Sequence, residues 1–418
     1  MGREERHGTL REIPYGGRHA AAAARGRRLP DGRHGEEPAA KAAPPTGKPV
    51  FEERLDDQLA AASRATAATG SARFTATLAY GSAGGTAVER VTGVLDYARD
   101  TARVERSVDV PRGFPGAAAA DLGREPGDRA RQVYAVERND VSYRTSRGTW
   151  LRYAASGSME FADSVGTFME YAGEAAPWGR TLAEVVRHAN PERQPVPTPD
   201  GGRRYEVDVH VRGAAEALPH SLAYAFVGTK AADEVPLTVV LDEDGRLLRA
   251  EADYGAVLGT LRGQGILRGV TSLRAEYVLT GHGGQKVPPV PAGEPVEDAE
   301  RVTVTLPALK AGACASHDTG LGHLSLVRPV PCGKDADLRV FGQERIDETF
   351  EGRDPSGVGD RLASERCEKA HRKAPAAWTS GGRPSGRYWV AGNESLAFTY
   401  DGPEATVTGD FTCYVRLR

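Results

Sequence analysis

Arg73-Phe74-Thr75-Ala76-Thr77-Leu78-Ala79-Tyr80 is the stretch from which the fold is read. Successive side chains of an extended chain point to opposite faces. Phe74, Ala76, Leu78 and Tyr80 therefore share one face while Arg73, Thr75 and Thr77 take the other, the pattern of a half-buried strand. Just before it, Phe51, Leu55, Leu59 and Ala62 recur at three and four residues, which predicts one amphipathic helix from Phe51 to Thr69 with Gly70 as its stop. Just after it, strands are expected from Val91 to Tyr97 and from Ala102 to Val108. Val133 to Tyr153 reads as a meander of three short strands, turning at Arg138-Asn139-Asp140 and on a two-residue Arg147-Gly148 turn.

Residues 156 to 190 break this period. Met159, Phe161, Val165, Phe168 and Met169 space like one face of a helix, and Thr181-Leu-Ala-Glu184 is a capping box that opens a second helix ending at His188. Strand grammar then resumes. Tyr205, Val207, Val209 and Val211 alternate, Leu237 to Ala250 forms a hairpin on Asp242-Glu-Asp-Gly245, and Leu273, Ala275, Tyr277 and Leu279 alternate again. Consecutive antiparallel strands with grouped helices indicate α+β, not a doubly wound sheet.

Three segments follow from this. Residues 1 to 49 are rich in Arg, Gly, Ala and Pro and are expected to form a disordered leader or linker, because they cannot bury enough to offset their ordering entropy. A first domain spans 51 to 295 and closes with Val287-Pro-Pro-Val-Pro. A second spans 300 to 418, with strands at Val302 to Leu306, Leu338 to Phe341, Ser395 to Tyr400, Ala405 to Val407 and Phe411 to Leu417, and one helix from Val358 to Arg372.

With 54 Lys and Arg against 57 Asp and Glu in 418 residues, the net charge is -3, so the electrostatic footprint of a nucleic-acid binder is missing. No window approaches the ~18 apolar residues of a membrane span. All four cysteines (Cys314, Cys332, Cys367, Cys413) fall in the last third. An even, clustered set favours disulfides and an oxidising compartment. Of the three connectivities we expect Cys314 with Cys332 and Cys367 with Cys413. Residues 1 to 50 show no export segment and no lipobox-like cysteine, so the true leader is expected to lie elsewhere or the true start to differ.

Common catalytic signatures are absent: there is no Gly-x-Ser-x-Gly elbow, phosphate loop, His-Glu-x-x-His or Cys-x-x-Cys. Gly263-Gln-Gly265-Ile-Leu-Arg-Gly269 has the wrong spacing for a dinucleotide loop and no βαβ context. Cys314, His317, Asp318 and His323 could be drawn as a metal cluster, but zinc ligands come in close pairs and the other cysteines are far downstream, so disulfides with solvated histidines are expected. No catalytic residue, metal or cofactor is assigned.

The first domain resembles the LolA-like half-barrel lipid carriers of actinobacterial envelopes. The resemblance rests on the order of elements and on the phrases Val141-Ser-Tyr-Arg, Thr149-Trp-Leu-Arg-Tyr153, Arg204-Tyr-Glu-Val-Asp-Val209 and Leu237-Thr-Val-Val-Leu-Asp-Glu-Asp-Gly-Arg-Leu247. It implies a curved antiparallel half-barrel with helices on its concave side enclosing an apolar cavity for acyl chains. Candidate lining residues are Phe74, Leu78, Leu95, Val207, Val209 and Tyr277 of the sheet and Met159, Phe161, Phe168 and Met169 of the insertion. Those insertion residues either line such a cavity or plug it as ordinary core. The lipidated cysteine usual in that family is missing.

The second domain resembles the septum-formation family of small extracytoplasmic modules, through Leu309-Lys-Ala-Gly-Ala-Cys314, Val330-Pro-Cys332 leading into Leu338-Arg-Val-Phe341, the helix with Cys367, and Phe411-Thr-Cys413-Tyr-Val. Where that family carries His-Asp-Ala-Glu-Val, this chain has Ala336-Asp-Leu-Arg-Val, so no role of that His or Glu is carried over. Together the resemblances imply a non-enzymatic extracytoplasmic envelope protein that binds a lipid or glycolipid, with peripheral membrane association and envelope or division partners both possible and no nucleic acid. The competing expectation is a scaffold or sensor with a filled core; a hydrolase ranks third.

Overall fold

The computed structural model describes residues 49–137, 140–154, 181–219, 222–223, 225–226, 234–320, 326–351, 358–380, 383–389, 397–401 and 404–417. They belong to one compact unit built on two sheets. The fold is mixed α+β, dominated by a large antiparallel sheet.

That sheet has twelve strands: β1 (Ser71–Ser82), β2 (Gly85–Asp96), β3 (Thr101–Asp109), β4 (Arg129–Glu137), β5 (Asp140–Arg144), β6 (Trp150–Tyr153), β7 (Val196–Pro197), β8 (Arg203–His210), β9 (Glu234–Leu241), β10 (Leu247–Asp253), β11 (Val270–Thr280) and β12 (Val296–Asp298). Their order is β12-β6-β5-β4-β3-β2-β1-β11-β10-β9-β8-β7. Two meanders therefore meet in the middle, where β1 pairs with β11 from Arg73↔Thr280 to Tyr80↔Leu273. Every other antiparallel neighbour is also a neighbour in the chain, so most pairings are local hairpins. β12 closes the far edge by pairing in parallel with β6.

The alternation expected around Arg73 to Tyr80 is realised at its ends: Phe74 and Tyr80 are buried and Arg73 is exposed. Other expectations need correction. The opening helix is α-helical only over Gln58–Ala68; Phe51 and Leu55 lie on two 3-10 turns, Val50–Glu52 and Leu55–Asp57. The reason is local, since the Gln58 side chain donates to the Glu53 carbonyl at 3.0 Å and ties the first turns together before the helix begins. Gly70 ends it at φ 82°, as a left-handed stop should.

The β5–β6 connection is not a two-residue turn. It runs from Thr145 to Thr149, with Gly148 N donating to the Thr145 carbonyl and Thr145 N to the Thr149 carbonyl. β8 stops at His210, whose ring accepts from Arg212 N, and Val211 turns into a short helix. The Thr181 capping box is present: Thr181 N donates to Glu184 Oε2 at 3.0 Å, and the helix runs Leu182–His188. The helix face expected from Met159 to Met169 lies outside the described residues.

The second sheet comprises β13 (Val304–Thr305), β14 (Cys314–Ser316), β15 (Leu326–Val330), β16 (Leu338–Glu351), β17 (Arg383–Trp389), β18 (Ala397–Asp401) and β19 (Glu404–Arg416). The order is β13-β15-β14-β16-β19-β17, with β18 also on β19. The two strands expected over 405–417 are one, because Gly409 and Asp410 stay in register with Ile346 and Arg345 of β16 instead of turning. β14, β15 and β17 were not foreseen. A helix, Val358–Lys373, packs on β16, and its Cys367 is joined to Cys413 of β19. Cys314 is joined to Cys332, tying β14 to the segment after β15. Each bridge of this kind stabilises a fold by about 2–4 kcal/mol.

Candidate functional site

One face of the large sheet carries the functional features. Across the central strands Ala76 stands opposite Val91 and Tyr277, and Leu78 opposite Glu89 and Ala275, so these side chains share the face of Phe74 and Tyr80. The helix Gln58–Ala68 packs against the helix Leu182–His188, and the latter lies on β10 and β11. Between the two helices and the sheet is a cleft of about 390 Å³, with Phe74, Leu95, Tyr277, Leu279 and Leu247 in its wall. Phe74 and Tyr277 meet as tilted rings with centroids 5.9 Å apart. Arg64 and Arg187 of the two helices are exposed at this cleft.

The polar groups here are arranged to stay neutral or engaged. Burial, then the nearby Glu184, pushes the Tyr97 phenol up to about 12. Burial also raises Tyr277 well above the ordinary tyrosine range. Both remain uncharged phenols at any physiological pH, and Glu184 is held by the Thr181 hydroxyl at 2.7 Å. The lining is thus mostly apolar with neutral phenols, and Arg64, Glu184 and Arg187 are its charged groups.

Of the residues expected to line a cavity, Phe74, Leu95 and Tyr277 come together in this cleft. Leu78 lines a smaller neighbouring cavity of about 30 Å³ with Val91 and Leu182. Val207 and Val209 do not reach either one; Val207 is packed in the core between Leu237 and its neighbours, and Val209 lies against that core near the β8 end. Met159, Phe161, Phe168 and Met169 lie outside the described residues. Leu279 and Tyr97 were missed, although each sits two residues from a named position (Tyr277, Leu95) and so shares its face.

Toward β4–β6 the same face is covered by the segment 318–320, which follows β14 of the second sheet. Tyr134, Tyr143 and Tyr153 stand on neighbouring strands and donate, in turn, to the Gly320 carbonyl at 2.6 Å, to Asp318 Oδ1 at 2.5 Å and to the Thr319 carbonyl at 2.5 Å. Asp318 Oδ2 also accepts from Ser146 N and Oγ, both at 2.7 Å. Of the residues drawn as a metal cluster, Cys314 is in a disulfide and Asp318 is in this seat, His317 has buried ring nitrogens and is not solvated as expected, and His323 lies outside the described residues. Among the described residues no group of three or more His, Cys, Asp or Glu gathers around a point.

His317 adjoins this seat with neither ring nitrogen hydrogen-bonded. Burial lowers its pKa below the ordinary 6.5; Asp337 opposes that shift and Arg416 adds to it. Because the unfolded chain takes up a proton that the folded chain resists, stability must fall as pH drops through about 6.5. We expect urea midpoints to decline between pH 7.5 and 5.5, and His317→Phe to flatten that decline. An unchanged slope in the variant assigns the pH dependence elsewhere.

A charged cluster sits further along the inner face. Glu89 and Arg106 form an ion pair at 2.7 Å with side chains only 14% and 19% exposed. Arg124, in the turn after the short helix Gly116–Asp121, and Tyr80 line a cavity of about 220 Å³ beside them.

No protein-family model matches the chain, and no curated protein does. Among solved structures it is similar to the Mycobacterium tuberculosis lipoprotein LppX, with 12% identity over 56% of this chain and 100% of that one and a TM-score of 0.29. It is also similar to Pseudomonas aeruginosa MucB in a complex with MucA, with 10% identity over 85% of this chain and 93% of that one and a TM-score of 0.25. A second MucB structure, in complex with MucA(peri), gives 10% identity over 86% and 94% with a TM-score of 0.24. Scores of this size mark a loose global overlap, and nothing about ligand or partner passes from them to this chain.

Proposed function

We propose that this protein is a non-enzymatic extracytoplasmic carrier or binder of a lipid or glycolipid, held in an apolar cleft of a curved half-barrel. The observation that carries the reading is the cleft of about 390 Å³ between two helices and the sheet, walled by Phe74, Leu95, Tyr277 and Leu279. Ala76 and Leu78, on the same face, are only half-buried although they lie between buried Phe74 and Tyr80. Among the described residues, a cavity of about 30 Å³ remains beside them. Affinity would come from burying acyl methylenes, each contributing about 0.8 kcal/mol. Two disulfides support an oxidising location.

Leu95→Trp places a large ring where chains would lie. It is expected to abolish uptake of a fluorescent fatty acid while leaving the thermal midpoint within about 2 °C, because the space it fills is open. Native mass spectrometry of protein from its own host is expected to show a bound amphiphile. Repeated recovery of empty protein that takes up no lipid would count against the reading.

A second reading, a scaffold or sensor acting through protein contacts, is favoured by the opposite face of the sheet. There a groove of about 650 Å³ carries Arg73, Arg103, Arg131 and Arg144 with Glu105 and Glu294. The Arg103 guanidinium lies 4.2 Å over the Trp150 ring, and its Nη1 is buried without a partner. Crosslinking from this face to one defined envelope or division protein, with no lipid recovered, would favour it.

A further inference from the structure

On the sheet face opposite the cleft, the groove of about 650 Å³ holds four arginines against two glutamates. Both glutamates are already matched. Glu105 is paired with Arg131 at 2.6 Å, and Glu294 accepts from Arg144 Nε and Nη2, both at 3.0 Å. Arg73 and Arg103 are left over. Arg73 is exposed, and its guanidinium donates to the neutral Gln285 amide oxygen at 2.7 Å. Arg103 is half-buried, and among the described residues neither arginine forms an ion pair. Arg90, on the same face two residues from Thr92 of β2, is likewise exposed without an ion pair among the described residues. Burial lowers the Arg103 pKa; Glu294 opposes that shift and Arg144 adds to it.

Glu294 shows which chemistry the groove accepts. It belongs to the Pro-rich connection between β11 and β12, and besides the Arg144 fork its carboxylate takes the Trp150 Nε1 proton donor at 2.5 Å. The carbonyl of the next residue, Pro295, accepts from Trp150 N at 2.8 Å. A peptide carboxylate with its neighbouring main chain is therefore already bound here, by the bidentate geometry in which arginine excels. A bilayer fits less well. Among the described residues the exposed large hydrophobics, Val196 and Val296, stand on the edge strands β7 and β12, so the groove has no apolar side chain to insert.

Arg73 lies across from Val94, and Val94 from Arg103, so the two unmatched arginines stand in one row two strands apart, about 10 Å at ~4.8 Å per strand. A polyproline-like segment, at ~3.1 Å per residue, covers that distance in about three residues. We propose that this groove docks an extended acidic segment of a partner protein, with two carboxylates three residues apart on Arg73 and Arg103. This rests on the protein-contact reading of the face, to which it adds the chemistry of the partner.

The test uses the full chain and four probes: a deca-glutamate peptide, its deca-glutamine counterpart, polyphosphate, and phosphatidylglycerol vesicles. Wild type is expected to bind deca-glutamate at least about tenfold more tightly than deca-glutamine, with the difference shrinking at high salt. Arg73→Glu, at an exposed position, should remove most of that preference without shifting the thermal midpoint, and Arg103→Gln should act in the same direction. Glu294→Gln releases Arg144 and Trp150 and should tighten deca-glutamate several-fold.

Deca-glutamate binding that neither Arg73→Glu nor Arg103→Gln changes lies elsewhere on the chain, the arginine-rich residues 1 to 49 included, and overturns the site. So does unchanged or weaker binding by folded Glu294→Gln. Arg73-dependent binding of polyphosphate or of the vesicles, with deca-glutamate unbound, overturns the peptide in favour of a phosphate polymer or a membrane. If no probe binds, the acidic-segment site fails. Crosslinking from this face to one defined envelope protein then leaves the protein-contact reading standing, and its absence sinks that reading too.

Discussion

Replacing Arg106 by methionine is expected to destabilise the protein by about 3–5 kcal/mol, the usual cost of stranding one partner of a buried ion pair. Glu89 accepts from Arg106 Nε at 2.7 Å on the inner face, between strands β2 and β3, where its side chain is 14% exposed. Without the guanidinium, its carboxylate keeps its desolvation cost and loses the compensating charge. The double variant Arg106→Met/Glu89→Leu removes both charges and should recover most of the loss, since replacing a whole buried pair by apolar groups is often neutral or better. Urea unfolding of the wild type, both single variants and the double variant measures the coupling. A single-variant loss below about 1 kcal/mol would show that water reaches the pair and that it acts as a surface bridge.

Gly320→Val is expected to detach the segment 318–320 from its seat on the tyrosine row. Gly320 has φ 83°, which a β-branched residue tolerates badly. A Cβ there would also lie 2.2 Å from Tyr143 Cγ, inside the ring's own volume. Backbone strain of about 1–3 kcal/mol and overpacking of a similar size add to a loss of roughly 3 kcal/mol or more. The bonds from Tyr134, Tyr143 and Tyr153 to residues 318 to 320 would break with it. Hydrogen exchange should then report new exposure of 317–320 and of β4–β6, with the twelve-stranded sheet still folded. In a Tyr143→Ala background the overlap is gone, so Gly320→Ala should there cost only the backbone part. Equal penalties in the two backgrounds would mean that the ring is not the obstacle.

Much of the strand order could be read from residue patterns. Phe74 to Tyr80, Val133 to Tyr153 and Leu273 to Leu279 alternate because one face of each strand is buried, and burial of one face is written directly into side-chain type. The Thr181 capping box and the Asp242-to-Gly245 turn were equally legible, since each satisfies its own backbone groups within a few residues. Boundaries were less so. The 3-10 start at Val50 and the unbroken β19 depend on a side-chain bond from Gln58 and on register with β16, neither of which leaves a periodic trace.

The candidate site was legible only in its apolar half. Phe74, Leu95 and Tyr277 could be picked out as large side chains on inward-facing positions, and they do line the cleft. Glu89 and Arg106 could not, because isolated charges in an alternating strand read as its solvated face until their partners are known. Val207 shows the converse: it alternates as well as Leu78 does, yet the core fills over it, while half-buried Val209 lines neither cavity.

Local chemistry in the chain thus specifies strands, turns, caps and the inward positions, since each depends on neighbours a few residues away. Which inward positions line a cleft, which charges find partners, and where the segment 318–320 sits were set by pairings such as Arg73 with Thr280 and Tyr134 with Gly320. Those pairings join residues far apart in sequence, and whether a side chain there is packed, paired or left open depends on the volume and charge that the remote segment brings to it.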